Sequence, residues 1–452
     1  MVSSDTIAAI ASAPGRGAVG VIRISGPLVP QIAAAMLRKP PAPRLALVAD
    51  FLDAAGESID RGMVLYFPAP ASYTGEHVLE LQGHGGTVVL DSLLNRLLAL
   101  GCRLARPGEF SERAFLNGKI DIAQAEAVAD LIDAGTSAAA RAAVRSMQGE
   151  FSGRVHALQA QLTELRTRVE AAIDFPEEEL DFIPGGALGR HIAGIFAGFD
   201  EITAAARQGA LLREGLNVVI AGKPNAGKSS LLNKLAGDEI AIVADQPGTT
   251  RDVLRQHVHL DGLPLNLIDT AGLRASADAV EAEGVRRAFA ELNRADRVLY
   301  ILDASAPNAG GALLVAAELK ELPRDVPVTL VFNKIDLSGA APGVDESCEP
   351  PQVFLSAKTG AGLDLLRTHL QARAGYRSGD AGAISARRRH LDALERARAC
   401  VVQAADALTN TRAFELFAED LRRAQVALGE ITGEFGSDDL LGEIFSSFCI
   451  GK

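Results

Sequence analysis

The chain has 452 residues, 48% of them hydrophobic, with 45 Lys plus Arg against 57 Asp plus Glu and a formal net charge of -12. That length leaves room for about two to four globular domains, and the acidic balance argues against strong indiscriminate nucleic-acid binding while permitting a local basic patch. Cys102, Cys348, Cys400 and Cys449 show neither CxxC pairing nor metal-ligand spacing, which argues against a disulfide framework and for a reducing, cytoplasmic setting. Asp5 stands early, no basic-then-apolar signal pattern precedes it, and no apolar run reaches the ~18 residues of a membrane span.

Residues 1–118 mix short apolar runs with Pro- and Gly-rich joints; strands are expected over 19–24, 62–67 and 77–81, in a compact α+β domain. From 119 to 215 the texture turns helical and Ala-rich. Phe151, Val155, Leu158, Leu162, Leu165 and Val169 recur at steps of four and three, one apolar stripe on a long helix. Such a stripe is bundle core, although a dimer interface could use the same pattern.

Residues 216–375 carry the strongest signal. The apolar run 216–221 reads as a buried strand, and Gly222-Lys-Pro-Asn225-Ala226-Gly227-Lys228-Ser229 after it fills GxxxxGK[ST]. Ser230 and the residues to Ala236 then open like a helix, the context this motif requires. Backbone N–H groups can wrap phosphates there, Lys228 supplies a point charge and the Ser229 hydroxyl can reach Mg2+. Further parallel strands are expected over 298–303 and 328–332.

The second of these ends in Asn333-Lys334-Ile-Asp336, the NKxD pattern; a carboxylate at Asp336 can accept both N–H groups of guanine's Watson–Crick edge, which adenine lacks. Ser356-Ala357-Lys358, after a strand over 352–355, backs the base pocket. Asp269-Thr270-Ala271-Gly272 follows the apolar run 265–268, where Asp269 would hold Mg2+ through water and the Gly272 amide would meet the γ-phosphate. Gly248-Thr249-Thr250-Arg251-Asp252 lies where a first switch loop belongs, with Thr250 as the second Mg2+ ligand. Five motifs in this order and spacing define a GTP-binding domain.

Ras-like GTPases place a water-orienting Gln directly after DxxG; this chain has Leu273, which can neither orient nor polarise water. Asp278, Glu281 and Glu283 are the acidic candidates downstream, and the alternative is a slow GTPase that needs an external activator.

Residues 376–452 resume helical texture through Leu391, Leu394, Phe414, Leu416, Phe417, Leu421, Val426, Leu428 and Ile431. Helical segments on both sides of an α/β unit suggest one helical domain with the GTPase inserted in a loop; two separate helical domains would give the same pattern. The basic run from Arg387 to His390 reads as a solvated helix start rather than an RNA contact. The terminal Phe445-Ser-Ser-Phe448-Cys449-Ile-Gly-Lys452 reads as a tail packed on the bundle, with Cys449 a small apolar residue.

Over essentially its full length the chain resembles the MnmE (TrmE) family of tRNA-modification GTPases. The residues that carry the likeness are Asp5-Thr-Ile, the stretch from Pro14 to Gly26 with Arg23, Tyr73-Thr-Gly-Glu76, Leu79-Glu80-Leu81, His84-Gly-Gly86, the stretch from Arg106 to Lys119, Ala123-Gln-Ala-Glu-Ala127 and the terminal Cys-Ile-Gly-Lys. The resemblance implies a multidomain α/β plus α architecture: an N-terminal α+β folate-binding and dimerising domain, a split α-helical bundle and an inserted Ras-like P-loop GTPase domain. It implies a homodimer through the N-terminal domain and a heterotetramer with an FAD-dependent MnmG-like protein, FAD residing on that partner. The pair would install an aminomethyl or carboxymethylaminomethyl-type group on C5 of the wobble uridine of certain tRNAs, using a tetrahydrofolate derivative of the 5-formyl or methylene type.

By motif matching, Arg23, Glu80 and Lys119 would line the folate pocket, with Lys452 reaching in. Asn225 matches a potassium-binding Asn, and the loop Ala244-Asp-Gln246-Pro-Gly-Thr249 would add carbonyl ligands; K+ at paired GTPase domains would act where an arginine finger otherwise does. Glu281 matches the family's catalytic carboxylate and Cys449 its C-terminal cysteine, whose role sequence does not settle. Two departures stand out: Gly83 where many relatives have Cys, and Ala244 where some have Thr. The alternative function is a GTP-dependent switch or ribosome-assembly factor without modification chemistry, which would not need Arg23, Glu80, Lys119 and Lys452.

Overall fold

The computed structural model describes residues 5–174, 187–237, 255–269, 295–306, 326–377, 382–411, 413–434, 438–446, 448–449 and 451. The chain divides into two compact units, one of Met1–Ala129, Ser146–Phe199 and Asp392–Lys452, the other of Asp130–Arg145 and Asp200–Leu391.

The first unit is built on a sheet of β1 (Ile7–Ile10), β2 (Gly17–Ser25), β3 (Leu47–Leu52), β4 (Ser58–Phe67), β5 (Val78–Gly85) and β6 (Arg103–Leu104), in the order β3-β4-β5-β2-β1-β6. All pairs are antiparallel except β1 with β6. One face is apolar: Ile22, Ile24, Val64, Leu79 and Leu81 pack against Ile32 and Met36 of α1 (Val29–Met36) and Leu93 and Leu97 of α2 (Thr87–Ala99). Period-two alternation then places Glu80, Gln82 and His84 of β5 on the other face.

In the same unit α6 (Glu150–Asp174) buries Phe151, Val155, Leu158, Leu162, Leu165 and Val169 and packs against the helix Phe414–Thr432. The apolar stripe read from the sequence is therefore spent inside the chain as bundle core. The last helix, Asp438–Ser446, seats Phe445 with Phe448 against Ile122 and Ala125 of α4 (Ile122–Ile132).

The second unit holds a sheet of β7 (Leu216–Gly222), β8 (Arg255–Leu260), β9 (Leu263–Asp269), β10 (Arg297–Asp303), β11 (Val328–Asn333), β12 (Gly343–Asp345) and β13 (Gln352–Phe354), ordered β12-β13-β11-β10-β7-β9-β8. The five inner strands run parallel and the edge strands β8 and β12 antiparallel. Apolar residues cover both faces, Val218 and Ile220 on one and Val219 and Ala221 on the other, as a parallel sheet requires.

This unit also contains most of α5 (Ser137–Met147) and the later turns of α7 (Ala187–Glu214). Asp130, 6% exposed in its side chain, accepts from Arg213 at 2.8 Å, Arg387 at 3.0 Å and Ser385 at 2.6 Å. The expected solvated helix start holds at Arg388, which opens the helix Arg388–Thr411 and is exposed, and is corrected at its flanks: His390 is buried, and Arg387 is paired because the buried Asp130 carboxylate needs cationic and hydroxyl partners. Among the described residues no helix is long and apolar enough to cross a membrane.

Candidate nucleotide-binding site

β7 runs into the phosphate loop and the loop into α8 (Lys228–Gly237). The loop is shaped by left-handed backbone at Asn225 (φ 65) and Gly227 (φ 96). A Cβ on Gly227 would lie 2.2 Å from Asn333 Nδ2, so only glycine fits. The Lys228 ammonium, 8% exposed, donates to the Gly222 carbonyl at 2.8 Å and the Lys223 carbonyl at 2.9 Å. Ser229 and Ser230 are exposed in the first turn of α8, and Asn225 is exposed on the loop.

Asn333 ends β11 beside this loop and is 2% exposed. Its Nδ2 donates to the Ala226 carbonyl at 2.9 Å, and its Oδ1 accepts the Ala357 N–H at 2.9 Å. One side chain thus joins the phosphate loop to the loop carrying Ser356, Ala357 and Lys358. Lys334 is left-handed (φ 67) and its ammonium meets Asp303 Oδ2 at 2.6 Å. Burial works to raise the Asp303 carboxyl, but the bonds from Lys334 and Ser305 outweigh it and hold the group below its ordinary range.

Asp336 is exposed, and its Oδ1 accepts from the Ser356 hydroxyl at 2.6 Å. Buried Ser356 also receives the Thr359 N–H on its Oγ at 3.2 Å, which fixes the rotamer that steers Asp336. Lys358 is exposed beside it. Asp269 is the last residue of β9, paired in register with Ile220 of β7, one strand from the phosphate loop. Ala244, Gln246, Thr249, Thr250, Thr270, Ala271, Gly272, Leu273, Asp278, Glu281, Glu283 and Lys452 lie outside the described residues. Of the expected metal contacts, Asn225 on the loop, Ser229 in the first turn of α8 and Asp269 at the end of β9 lie within the described residues.

In the first unit Arg23 and Glu80 are register partners on β2 and β5. Arg23 Nε donates to Glu80 Oε1 at 3.0 Å, with side chains 21% and 16% exposed, more enclosed than ordinary surface strand residues. The guanidinium lies 5.8 Å from the ring centres of both Tyr73 and Phe110, and its Nη1 donates to the Gly451 carbonyl at 3.4 Å. Arg23 is bonded to Glu80 through Oε1, and among the described residues no hydrogen bond reaches Oε2, which leaves one carboxylate oxygen able to accept. Lys119 is exposed, and among the described residues no ion pair links it to Glu80.

Cys449 is exposed, so the tail packs through its phenylalanines and not through this residue. Its carbonyl accepts the Gly108 N–H at 3.3 Å while Phe445 and Phe448 supply the apolar anchor.

Sequence reasoning missed the charge lattice beneath this site. Arg113, 4% exposed, donates to Asp5 Oδ1 at 2.7 Å, Glu76 Oε2 at 3.0 Å and Glu109 Oε1 at 3.2 Å; Arg103 reaches Glu109 Oε1 at 2.6 Å. Burial opposes ionisation of Glu109, yet Arg103, the Arg106 N–H and Arg113 outweigh it and bring its carboxyl down to about 2. The available signal was the i,i+4 pair Glu109 and Arg113 in a helix whose neighbours Phe110 and Ala114 are buried.

Asp60 and His84 form another feature without a role in the sequence reading. Asp60 accepts the His84 N–H on Oδ2 at 2.7 Å and meets His84 Nδ1 with Oδ1 at 2.8 Å. Gly83 makes room, since a Cβ there would stand 2.3 Å from Asp60 Oδ2.

A largely parallel sheet with a phosphate loop after its inner strand β7, and with Asn333, Asp336 and Ser356 gathered at the strand ends, defines a P-loop GTPase domain, in a chain that also holds an α+β and helical unit. The profile of the MnmE helical domain matches residues 122–449 and that of the GTP-binding protein TrmE N-terminus residues 6–119. The chain is 57% identical over 448 residues to the tRNA modification GTPase MnmE of Methylococcus capsulatus, covering 99% of both chains. It is 56% identical over 454 residues to those of Yersinia pseudotuberculosis and Sodalis glossinidius, covering 100% of each. The chain belongs to the MnmE family of tRNA-modification GTPases.

Proposed function

We propose that the protein hydrolyses GTP in the service of tRNA wobble-uridine modification. In this reading the loop amides and Lys228 hold the phosphates, the Lys228 ammonium exchanging two backbone carbonyls for phosphoryl oxygens. Asp336, aimed by Ser356, accepts from guanine, and Ala226, Ser230, Asn333, Lys334, Ala357 and Lys358 complete the nucleotide pocket. Ser229 and Thr250 would hold Mg2+, with Asp269 through water, and Thr270, Ala271 and Gly272 would follow the γ-phosphate. Asn225, Ala244, Gln246 and Thr249 would hold K+. Bound there, the two cations supply positive charge against the phosphoryl oxygens. Glu281 acts on the attacking water indirectly.

Arg23, Glu80, Lys119 and Lys452 would bind a tetrahydrofolate derivative, with Cys449 beside them. The modification itself, addition at C5 of uridine in a cytoplasmic tRNA, is shared with an FAD-bearing MnmG-like partner, this chain acting as a homodimer. The observation that carries the reading is the Asn333 bridge between phosphate loop and base loop, in a chain that matches its relatives from end to end.

Mass spectrometry of tRNA nucleosides from cells lacking the protein tests it. Loss of wobble-uridine C5 modification, restored by the unaltered chain but not by Glu281→Ala, is expected. An unchanged nucleoside profile overturns it.

A further inference from the structure

In the second unit a cleft of about 610 Å3 opens between the start of α5 and the β8–β9 hairpin, within the range of ~300–1,000 Å3 typical of ligand clefts. Its chemistry runs against the bulk charge of the molecule. Arg141, Arg145 and His259 line it, with Asp261 as the lone carboxylate among its lining residues, in a chain whose net charge is -12. Tyr376 and the hydroxyls of Thr136 and Ser137 complete the polar lining.

The walls are held by hydrogen bonds to neighbouring backbone and side chains. Arg145 Nε donates to the Ala383 carbonyl at 2.8 Å, which engages this guanidinium as wall. Tyr376 Oη donates to the Asp261 backbone carbonyl at 3.1 Å, and the neutral amide of Gln371 donates to Asp261 Oδ2 at 3.1 Å, which fixes the one carboxylate in place on the hairpin. His259 Nε2 comes within 3.7 Å of where a side chain on Gly135 would begin, so the imidazole spans towards the far wall. Arg141, one turn before Arg145 on α5, is exposed at the opening.

We propose that this cleft takes a phosphodiester of an RNA strand, with Arg141 as the principal phosphate contact and His259 and Tyr376 flanking it. Guanidinium, imidazole and hydroxyl donors suit phosphate oxygens, and an aromatic side chain in the same wall suits a ribose or an unstacked base. An acidic chain that acts on RNA needs such a locally inverted patch, because phosphate neutralisation dominates affinity. The inference rests on the tRNA reading above and names the surface that reading lacks.

The test is tRNA binding by the full-length protein across a series of salt concentrations. Arg141→Gln should weaken binding roughly tenfold at low salt and flatten the salt dependence by about 0.7–0.9 in log–log slope. GTP hydrolysis without RNA, unchanged in the variant, certifies the fold. Arg141→Lys keeps the charge and should retain most of the binding; equal losses in both variants would make Arg141 a prop and overturn the proposal. Inorganic phosphate titrated at constant ionic strength separates the two phosphate sources. Displacement of RNA by phosphate well beyond that by chloride would mark a small-anion site and overturn it. Absence of tRNA binding by the unaltered chain sinks the functional reading as well, whereas binding insensitive to Arg141 sinks this cleft alone.

Discussion

Asn333 and Ala226 are bonded side chain to backbone at 2.9 Å, and because Asn333 also receives the Ala357 N–H, the two halves of the nucleotide pocket cannot separate without breaking it. Asn333→Ala removes both bonds and strands a buried carbonyl and a buried N–H, each costing about 1–3 kcal/mol. Fluorescent guanine-nucleotide titration should show affinity reduced roughly tenfold or more, with a lower melting temperature. Unchanged affinity would mean that the loops hold their places without the bridge.

Asp336→Asn keeps a partner for Ser356 but replaces an acceptor with an amide facing the base. Guanine preference should weaken and xanthosine nucleotides should gain. Undiminished discrimination would remove Asp336 from base recognition.

Acid sensitivity should concentrate in the N-terminal unit. With the Glu109 carboxyl near 2 when folded and near 4.5 ordinarily, its stabilisation is complete above about pH 4.5 and is lost as pH falls towards 2. The magnitude is on the order of 3 kcal/mol. Glu109→Gln should lower stability at neutral pH and flatten the loss between those values, read by urea unfolding with tyrosine fluorescence. An equally steep acid loss in the variant would place the sensitivity elsewhere.

Exchange of K+ for Na+ at fixed ionic strength should depress GTP hydrolysis, since Asn225 offers an exposed side chain from the left-handed turn of the phosphate loop. Glu281→Ala should slow turnover on the order of 100-fold or more with GTP affinity nearly intact. Equal rates in the two salts would refute the cation site, and a parallel loss of affinity would make Glu281 structural.

Arg23→Met should abolish binding of a tetrahydrofolate derivative while leaving GTP hydrolysis unchanged, because it removes the guanidinium between Tyr73 and Phe110 and leaves Glu80 without its counter-charge. Isothermal titration of the full chain decides it; retained folate affinity would disqualify this pocket.

The strands under the nucleotide site are legible as continuous apolar runs, because a parallel strand covered on both faces has no polar side to interrupt it. The N-terminal unit is less readable. Ile7–Ile10 contains two alanines and β6 only two residues, so neither carries a period; tertiary pairing makes them strands. Motifs disclosed Asn333, Asp336 and Ser356 but not that Asn333 spans two loops. The i,i+4 pair with Glu109 is the one local sign of the buried Arg113; its other partners, Asp5 and Glu76, come from distant parts of the chain and leave no mark in the pattern.

The contact between Asp60 and Gly83 ties two strands into one inheritance unit. A cysteine at 83 would collide with the carboxylate that grips His84, so such a change makes the Asp60 side chain swing aside and loosen its bonds to His84. Substitutions at 60 and 83 should therefore be strongly non-additive, and the order in which a lineage acquires them is constrained.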